Sequence, residues 1–377
     1  MSATTGPGDG ATPAMPARRG RVPLRLVRAD APSPARAILI RILAGIAAVL
    51  LAAIPIAIAG APIGEAYALM LRGALGSTFA LSETLTRATP LVLTGLAAAI
   101  AFRARLWNIG LEGQLYAGAL MVAWLGTGLI DVPYVTLPIV LACSALAGAL
   151  LMVGPTWLKV RLGADEVVTT LLLNFVVLLF VQMMLEGPLK DPLGMGWPQS
   201  PSVVDSAELP GLWPRTRLHA GLVIGLVLAP LLAFVVRRTV FGFALRATGE
   251  NPAAARFAGI RTGRVLLMVG ALSGALAGLA GAGEVAGLKG YLTSDLSPGF
   301  GYTGIVVAML AGLSPIGCVA AAVFIAAVFV GADSMSRALG VSSYLADLIV
   351  ALSLVTILLG EAAARFRLVR GGGEGAA

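Results

Sequence analysis

The chain has 377 residues, of which 58% are hydrophobic and 12% charged, and its mean hydropathy is +0.91. Because the surface of a soluble protein usually needs roughly twice that density of charge, this composition excludes ordinary soluble domains and predicts an integral membrane protein. The net charge of +8 does not indicate nucleic-acid binding, since no basic run is interleaved with aromatic residues. The arginines lie between apolar segments, where they orient a protein in a bilayer.

The two ends of the chain are expected to be cytoplasmic tails. Residues 1–37 are rich in proline, alanine, glycine and arginine and have no apolar period, which predicts a disordered tail. Residues 38–60 form an apolar run that is too long for the core of a secretory signal, which spans about 7 to 15 residues. We therefore expect an uncleaved first span there. Residues 363–377 form the second expected tail.

Between the tails, residues 38–362 predict an all-α, polytopic transmembrane domain with about ten crossings. The expected crossings occupy residues 38–60, 85–102, 109–129, 135–158, 167–185, 218–236, 265–288, 302–313, 316–332 and 344–359. The run at 302–313 is too short to cross a bilayer of about 30 Å alone. We therefore expect residues 291–313 to form a broken or partly re-entrant crossing.

This assignment places residues 61–83, with a short surface helix, and the proline-rich loop 187–217 outside the cell. Both termini and residues 237–264 then lie in the cytoplasm. Most of the 27 lysine and arginine residues fall on the cytoplasmic side, which is the bias expected for a membrane protein. The span at 265–288 is rich in glycine and alanine, which would let neighbouring helices approach closely.

Residues 237–264 are a long polar interruption that also carries the signals of a short helix. Asn251 is a suitable N-cap, Pro252 suits the first helical position, and Gly259 can end the helix. Such a helix is marginal alone in water, so flanking structure or a partner must hold it. Two interpretations are open from these residues alone: a solvated connector between spans, or a docking segment.

Several polar residues fall inside expected spans, where they are costly and often functional. Asn108, Glu112 and Gln114 lie beside two glycines, and Asn174 lies in the middle of its span. The first three either bind a polar neutral solute or tie helices together, and Asn174 is a candidate for the same solute path. Glu284 lies near the outer end of its span, where a structural role is favoured.

The sequence lacks the motifs of an enzyme or a motor. No Walker A sequence, Gly-x-Ser-x-Gly elbow or His-Glu-x-x-His motif occurs. Cys143 and Cys318 lie in apolar segments, and the single histidine, His219, is expected to pack at the start of a span. We therefore predict no catalytic residues, no metal site and no cofactor bound by this chain.

Five sequence segments together resemble a known family. They are Leu93-Thr94-Gly95-Leu96, Phe102-Arg103, Trp107-Asn108-Ile109-Gly110-Leu111-Glu112-Gly113-Gln114, Gly249-Glu250-Asn251-Pro252 with Ala258-Gly259-Ile260, and Gly301-Tyr302-Thr303-Gly304-Ile305. Over roughly residues 38–361 the chain resembles the permease subunits of bacterial ABC importers in the branched-chain amino acid, ribose and nucleoside superfamily. The branch it resembles is that of nucleoside or simple-sugar permeases.

The resemblance implies a function and a set of partners. Residues 237–264 would couple the permease to a separate cytoplasmic ATPase, which binds the ATP. A second permease, often a non-identical sibling, and an extracytoplasmic solute-binding lipoprotein would complete the importer in the bacterial inner membrane. The residues implied in coupling are Gly249, Glu250, Asn251, Pro252, Ala254, Ala255, Phe257, Ala258 and Gly259.

The implied cargo is a polar solute, a nucleoside first and a simple sugar second. The alternative function is a stand-alone secondary transporter or channel for a small polar solute, in which residues 237–264 only connect two spans. The arginine-rich residues before the first span depart from the family pattern.

Overall fold

The computed structural model describes residues 24–28, 34–364 and 366–370 of the chain. Its helices are α1 (Pro34–Ile58), α2 (Ile63–Leu75), α3 (Thr78–Arg103), α4 (Leu111–Leu125), α5 (Thr136–Leu162), α6 (Glu166–Glu186), α7 (Gly221–Arg238), α8 (Val240–Glu250), α9 (Pro252–Phe257), α10 (Thr262–Gly283), α11 (Phe300–Leu310), α12 (Pro315–Leu339) and α13 (Ser343–Ala364). A π-helical segment, Glu284–Lys289, continues α10, and a 3-10 turn covers Asp205–Ala207.

Two short strands lie at the ends of the described chain. Strand β1 (Leu24–Arg28) falls within the segment expected to be disordered, and β2 (Phe366–Arg370) falls within the second tail. They pair antiparallel, with Leu24 opposite Arg370 and Arg28 opposite Phe366. The rest of the two expected tails, outside α1, α13 and these strands, lies beyond the described residues.

Six of the described helices are long and apolar enough to cross a membrane. They are α3, α5, α6, α7, α10 with its π-helical end, and α12. Helices α1 and α2 would add a seventh crossing if they form one broken span, and they bend by 117° where they meet. Helices α4 and α11 have only 15 and 11 residues. The helical class is therefore confirmed, while the count of ten crossings stays a prediction.

Two helix boundaries differ from the sequence expectation. Helix α3 begins at Thr78 rather than near residue 85, because the Ser77 hydroxyl caps it by accepting a hydrogen bond from the Ala80 amide at 3.0 Å. The expected span 109–129 is helical only from Leu111 to Leu125, with glycines immediately before and after it. Hydropathy alone misses these limits because the start of α3 depends on a side-chain cap, and the glycines around α4 lie where a Cβ atom would meet neighbouring atoms, at 2.7 Å for Gly126 and 3.0 Å for Gly110.

Helix α3 forms the centre of the bundle. It is almost entirely buried and packs against α7, α10, α11 and α12. Helices α5 and α6 leave most of their apolar surface uncovered, as expected for helices that face lipid. Five uncharged polar residues of α3 are therefore enclosed by protein: Ser82, Thr84, Thr86, Thr89 and Thr94.

Helices α4, α5 and α10 are in close backbone contact through small residues. A Cβ atom added at Gly278 of α10 would lie 2.2 Å from the Ser144 carbonyl oxygen of α5. One added at Gly118 of α4 would lie 2.1 Å from the Gly278 carbonyl oxygen. Real Cβ atoms cannot approach so closely, so these positions require glycine. This confirms the close approach predicted from the small residues of 265–288.

Candidate functional site

Helix α9 has the geometry that its sequence predicts. The Asn251 side-chain oxygen accepts hydrogen bonds from the amides of Ala253 and Ala254, both at 3.0 Å. Pro252 occupies the first helical position. Gly259 follows the helix with φ of +83°, a conformation that favours glycine. The three signals together produce a short helix with fixed ends.

Helix α8 holds α9 against the ends of the spanning helices. A Cβ atom added at Gly249 would lie 2.0 Å from the carbonyl oxygen of Arg103, the last residue of α3. The Arg246 guanidinium also donates a hydrogen bond to the Val236 carbonyl oxygen near the end of α7. Helix α8 therefore connects α9 to the ends of α3 and α7.

The nine residues implied in coupling divide into two sets. Gly249 and Ala255 are buried and attach the two helices to the bundle. The other members are exposed: Glu250, Asn251, Pro252, Ala254, Phe257, Ala258 and Gly259. Phe257 is 98% exposed, which is unusual for a large apolar side chain. The exposed set forms a surface that a partner could cover.

Asn108 and Gln114 form a buried hydrogen-bonded pair. The Asn108 amide donates to Gln114 Oε1 at 2.8 Å and to Ser273 Oγ at 3.0 Å, and the Gln114 amide donates back to Asn108 Oδ1 at 2.9 Å. Ser273 in turn donates to the Ala97 carbonyl oxygen at 2.8 Å. The pair thus connects the start of α4 to α10 and α3.

Glu112 and Asn174 connect α4 to two further helices. The Gly301 amide of α11 donates to Glu112 Oε2 at 2.7 Å. Asn174 of α6 accepts from the Gly113 amide at 2.8 Å and donates to the Tyr302 hydroxyl at 3.1 Å. All four predicted path residues are buried and bonded to protein in this conformation. Direct contact with a solute requires α4, α6, α10 and α11 to separate.

A cavity of about 730 Å³ lies close to this network. Its walls come from α2, the first half of α3, the π-helical segment, the loop before α11 and the second half of α12. Phe300, which precedes the glycine bonded to Glu112, is part of its lining. We call this space the outer cavity, because Arg217 of the loop 187–217, which the sequence predicts to lie outside, is part of its lining.

Four of the charged residues that line the outer cavity form two opposite-charge pairs. Arg217 donates to both carboxylate oxygens of Glu83, and this hydrogen bond raises the pKa of Arg217. Arg87 lies 3.9 Å from Asp333 and close to the rings of Phe300 and Phe329, with distances of 5.6 and 5.3 Å to the ring centres. The paired charges give the cavity a polar but nearly balanced lining.

Glu284 also lines the outer cavity. Its side chain is 2% exposed, and no described residue donates a hydrogen bond to its carboxylate. The sequence favours a structural role for it near a membrane surface. In the structure it lies at the start of a π-helical segment, a rare geometry that is often found at functional sites.

Sequence patterns alone do not identify Glu83, Arg87, Arg217 and Asp333 as a site. A signal is present, since Glu83 and Arg87 are charged residues of opposite sign separated by one helical turn of α3. Hydropathy places Glu83 in a loop instead. Their partners on α12 and in the loop before α7 are distant in sequence, so only the fold brings them together.

A transmembrane helical bundle with a polar cavity and an exposed, capped helix at one end defines the class of membrane transport permeases. Residues 80–358 match the model of the family described as branched-chain amino acid transport system / permease component, and the chain belongs to that family. It is accordingly a permease subunit of the ABC importer class rather than a stand-alone carrier.

Three relatives are similar over most of the chain. A glucose ABC transporter permease protein, TsgB13 of Haloferax volcanii, is 36% identical over 81% of this chain and 82% of its own length. A guanosine ABC transporter permease protein, NupP of Bacillus subtilis, is 33% identical over 85% of this chain and 91% of its own length. A nucleoside ABC transporter permease protein, NupB of Lactococcus lactis, is 32% identical over 70% of this chain and 75% of its own length.

Proposed function

We propose that this permease subunit imports a nucleoside, with a simple sugar as the second candidate, using ATP hydrolysed by a separate subunit. Two of the relatives are named for guanosine or nucleosides and one for glucose. The nearly balanced, polar outer cavity suits a neutral solute that carries hydroxyl groups. Competition for uptake between labelled guanosine and unlabelled glucose, in cells expressing the full importer, separates the two candidates.

The observation that carries the coupling role is the exposed face of α9. Phe257 and Ala254 are exposed, Ala255 is buried, and Gly249 holds the segment against the end of α3. A rigid helix of this kind transmits the closure of an ATPase to the spanning helices better than a flexible loop. We infer that all nine residues named above serve this coupling, seven by contact and two by attachment.

Ala254→Arg tests this coupling role. The change adds bulk and charge to the docking face without entering the bundle, so the ATPase should no longer co-purify and uptake should fall at least about ten-fold. Tyr134→Arg is the matched control, because Tyr134 is 95% exposed in the loop between α4 and α5. Normal uptake with the ATPase still bound to the Ala254→Arg variant would overturn the coupling role.

We also propose ten crossings of the bacterial inner membrane, with both termini and α9 in the cytoplasm. A variant without Cys143 and Cys318 provides a background for single cysteines. Met195→Cys, at a position that is 96% exposed, should react with an impermeant maleimide in intact cells. Arg256→Cys on α9 should react only after the cells are permeabilised. The reverse pattern would contradict this orientation.

The partners we propose are a cytoplasmic ABC ATPase, a second and non-identical permease, and an extracytoplasmic solute-binding lipoprotein. A division of labour of this kind accounts for a chain without a Walker A motif. Affinity purification of the tagged chain should recover the ATPase and a second permease in stable stoichiometry. Recovery of only this chain with the ATPase would favour a homodimer.

The polar network is our candidate for the inner closure of the solute path. Asn108, Glu112, Gln114 and Asn174 hold α4 against α6, α10 and α11 just beyond the outer cavity. Replacing Asn108, Glu112 and Gln114 together by alanine should alter the kinetics of uptake while the protein remains folded. Unchanged kinetics in that triple variant would count against any role in the path.

A further inference from the structure

The outer cavity contains a buried carboxylate whose environment the fold alone does not explain. Glu284 is 2% exposed and receives no hydrogen bond from the described residues. Burying a carboxylate without hydrogen bonds is strongly unfavourable, so such groups are retained mainly where a function uses them. The π-helical turn that begins at Glu284 shifts the residues after it out of the register of α10.

Arg87 supplies hydrogen-bond donors in the same cavity. Its guanidinium lies over the rings of Phe300 and Phe329 and 3.9 Å from Asp333. Its Nε atom is buried and has no acceptor among the described residues. The two rings and the carboxylate orient Arg87 in advance, which lowers the entropy lost when it binds a ligand.

The chemistry of this cavity favours a neutral solute over an ion. The lining carries the basic residues Arg72, Arg87, Arg217, Lys289 and Arg337 and the acidic residues Glu83, Glu284, Asp295 and Asp333, so its charges nearly cancel. Glu284 is therefore an acceptor among basic donors. A volume of about 730 Å³ lies within the usual range of small-molecule pockets, about 300 to 1,000 Å³.

We propose that the outer cavity holds the solute before translocation, with the Glu284 carboxylate accepting hydrogen bonds from its hydroxyl groups and Arg87 donating to its oxygen atoms. Vicinal hydroxyls of a ribose ring suit a carboxylate acceptor. This inference rests on the proposed function and names the residues that would recognise the cargo. Glu284 is thus a binding residue rather than a structural one.

Protection from alkylation tests the site without depending on the binding lipoprotein. Leu288→Cys, in the variant lacking Cys143 and Cys318, places a thiol in the cavity wall one turn beyond Glu284. In nanodiscs containing the assembled importer, guanosine should slow the reaction of this thiol with an impermeant maleimide. Adding Glu284→Gln should raise the guanosine concentration needed for half protection by about ten-fold or more.

The rate of alkylation without solute reports whether the cavity is intact. It should be the same with and without Glu284→Gln, and the exposed loop change Glu208→Gln should leave protection unaltered. Equal protection by guanosine with and without Glu284→Gln would overturn the inference, as would no protection by any solute that the importer transports. Protection by glucose alone that is lost in Glu284→Gln would support the site while refuting the nucleoside assignment.

Discussion

At the scale of single residues, packing and exposure decide what each polar group contributes. The sequence predicts that His219 packs at the start of a span, and its side chain is 1% exposed. The Nδ1 atom of His219 would lie 2.2 Å from a Cβ atom added at Gly287 and 2.8 Å from one added at Gly221. The same Nδ1 atom accepts a hydrogen bond from the Gly221 amide at 3.2 Å. His219 therefore packs at the start of its span, as the sequence predicts, and the structure adds that two glycines make room for its ring.

The ion pair of Glu83 and Arg217, unlike the buried His219, is reached by water. The Arg217 side chain is 64% exposed, and exposed ion pairs contribute about 0.2 to 1 kcal/mol and weaken as salt is added. A double-mutant cycle with Glu83→Gln and Arg217→Gln, followed by thermal unfolding in detergent, should give a coupling energy in this range. The coupling should shrink in about 1 M salt. A coupling of several kcal/mol that resists salt would contradict an exposed pair.

At the scale of elements, small residues and caps set the geometry. Gly278→Ala should destabilise the bundle, because its Cβ atom would meet the Ser144 carbonyl oxygen, and overpacking of this kind costs about 1 to 3 kcal/mol. Gly154→Ala on α5 is the control, since nothing lies within 4 Å of a Cβ atom there. A drop in the unfolding temperature for the first and none for the second is expected. Equal drops would refute the close contact.

The cap of α9 gives a second prediction for a single element. Asn251→Ala removes the acceptor for the amides of Ala253 and Ala254 and should weaken the helix by about 1 kcal/mol. Amide hydrogen exchange at these two positions should accelerate. Asn251→Asp retains an acceptor, so the amides of Ala253 and Ala254 in that variant should exchange at the rate of the unchanged protein. If Asn251→Ala exchanges at the original rate, the cap does not stabilise α9.

The sequence can predict these local features because each depends on neighbouring residues. Asn251, Pro252 and Gly259 act within one short segment, and the glycines of α10 share one helix. The outer cavity cannot be predicted in this way, because its four paired charges meet only after α3, α12 and the loop before α7 have packed. The network around Asn108 shows the same limit, since the sequence points to Asn108 but not to its bonding partner Ser273.

At the scale of the whole molecule, three features lie along one direction through the bundle. The outer cavity opens at one end, the buried polar network follows it, and α8 with α9 lies at the opposite end against Arg103. Helix α3 passes all three, from Glu83 to Arg103. Movement of α9 by an ATPase would therefore reach the network and the cavity through a single buried helix.

Reconstituted transport tests the central claim most directly. Proteoliposomes would contain this chain with the proposed sibling permease and ATPase, and the proposed binding lipoprotein and labelled guanosine would be on the opposite side from ATP. We expect guanosine to cross only when both ATP and the ATPase are present, and Ala254→Arg to abolish the transport. Guanosine transport by this chain without the ATPase would contradict the account and favour a stand-alone carrier.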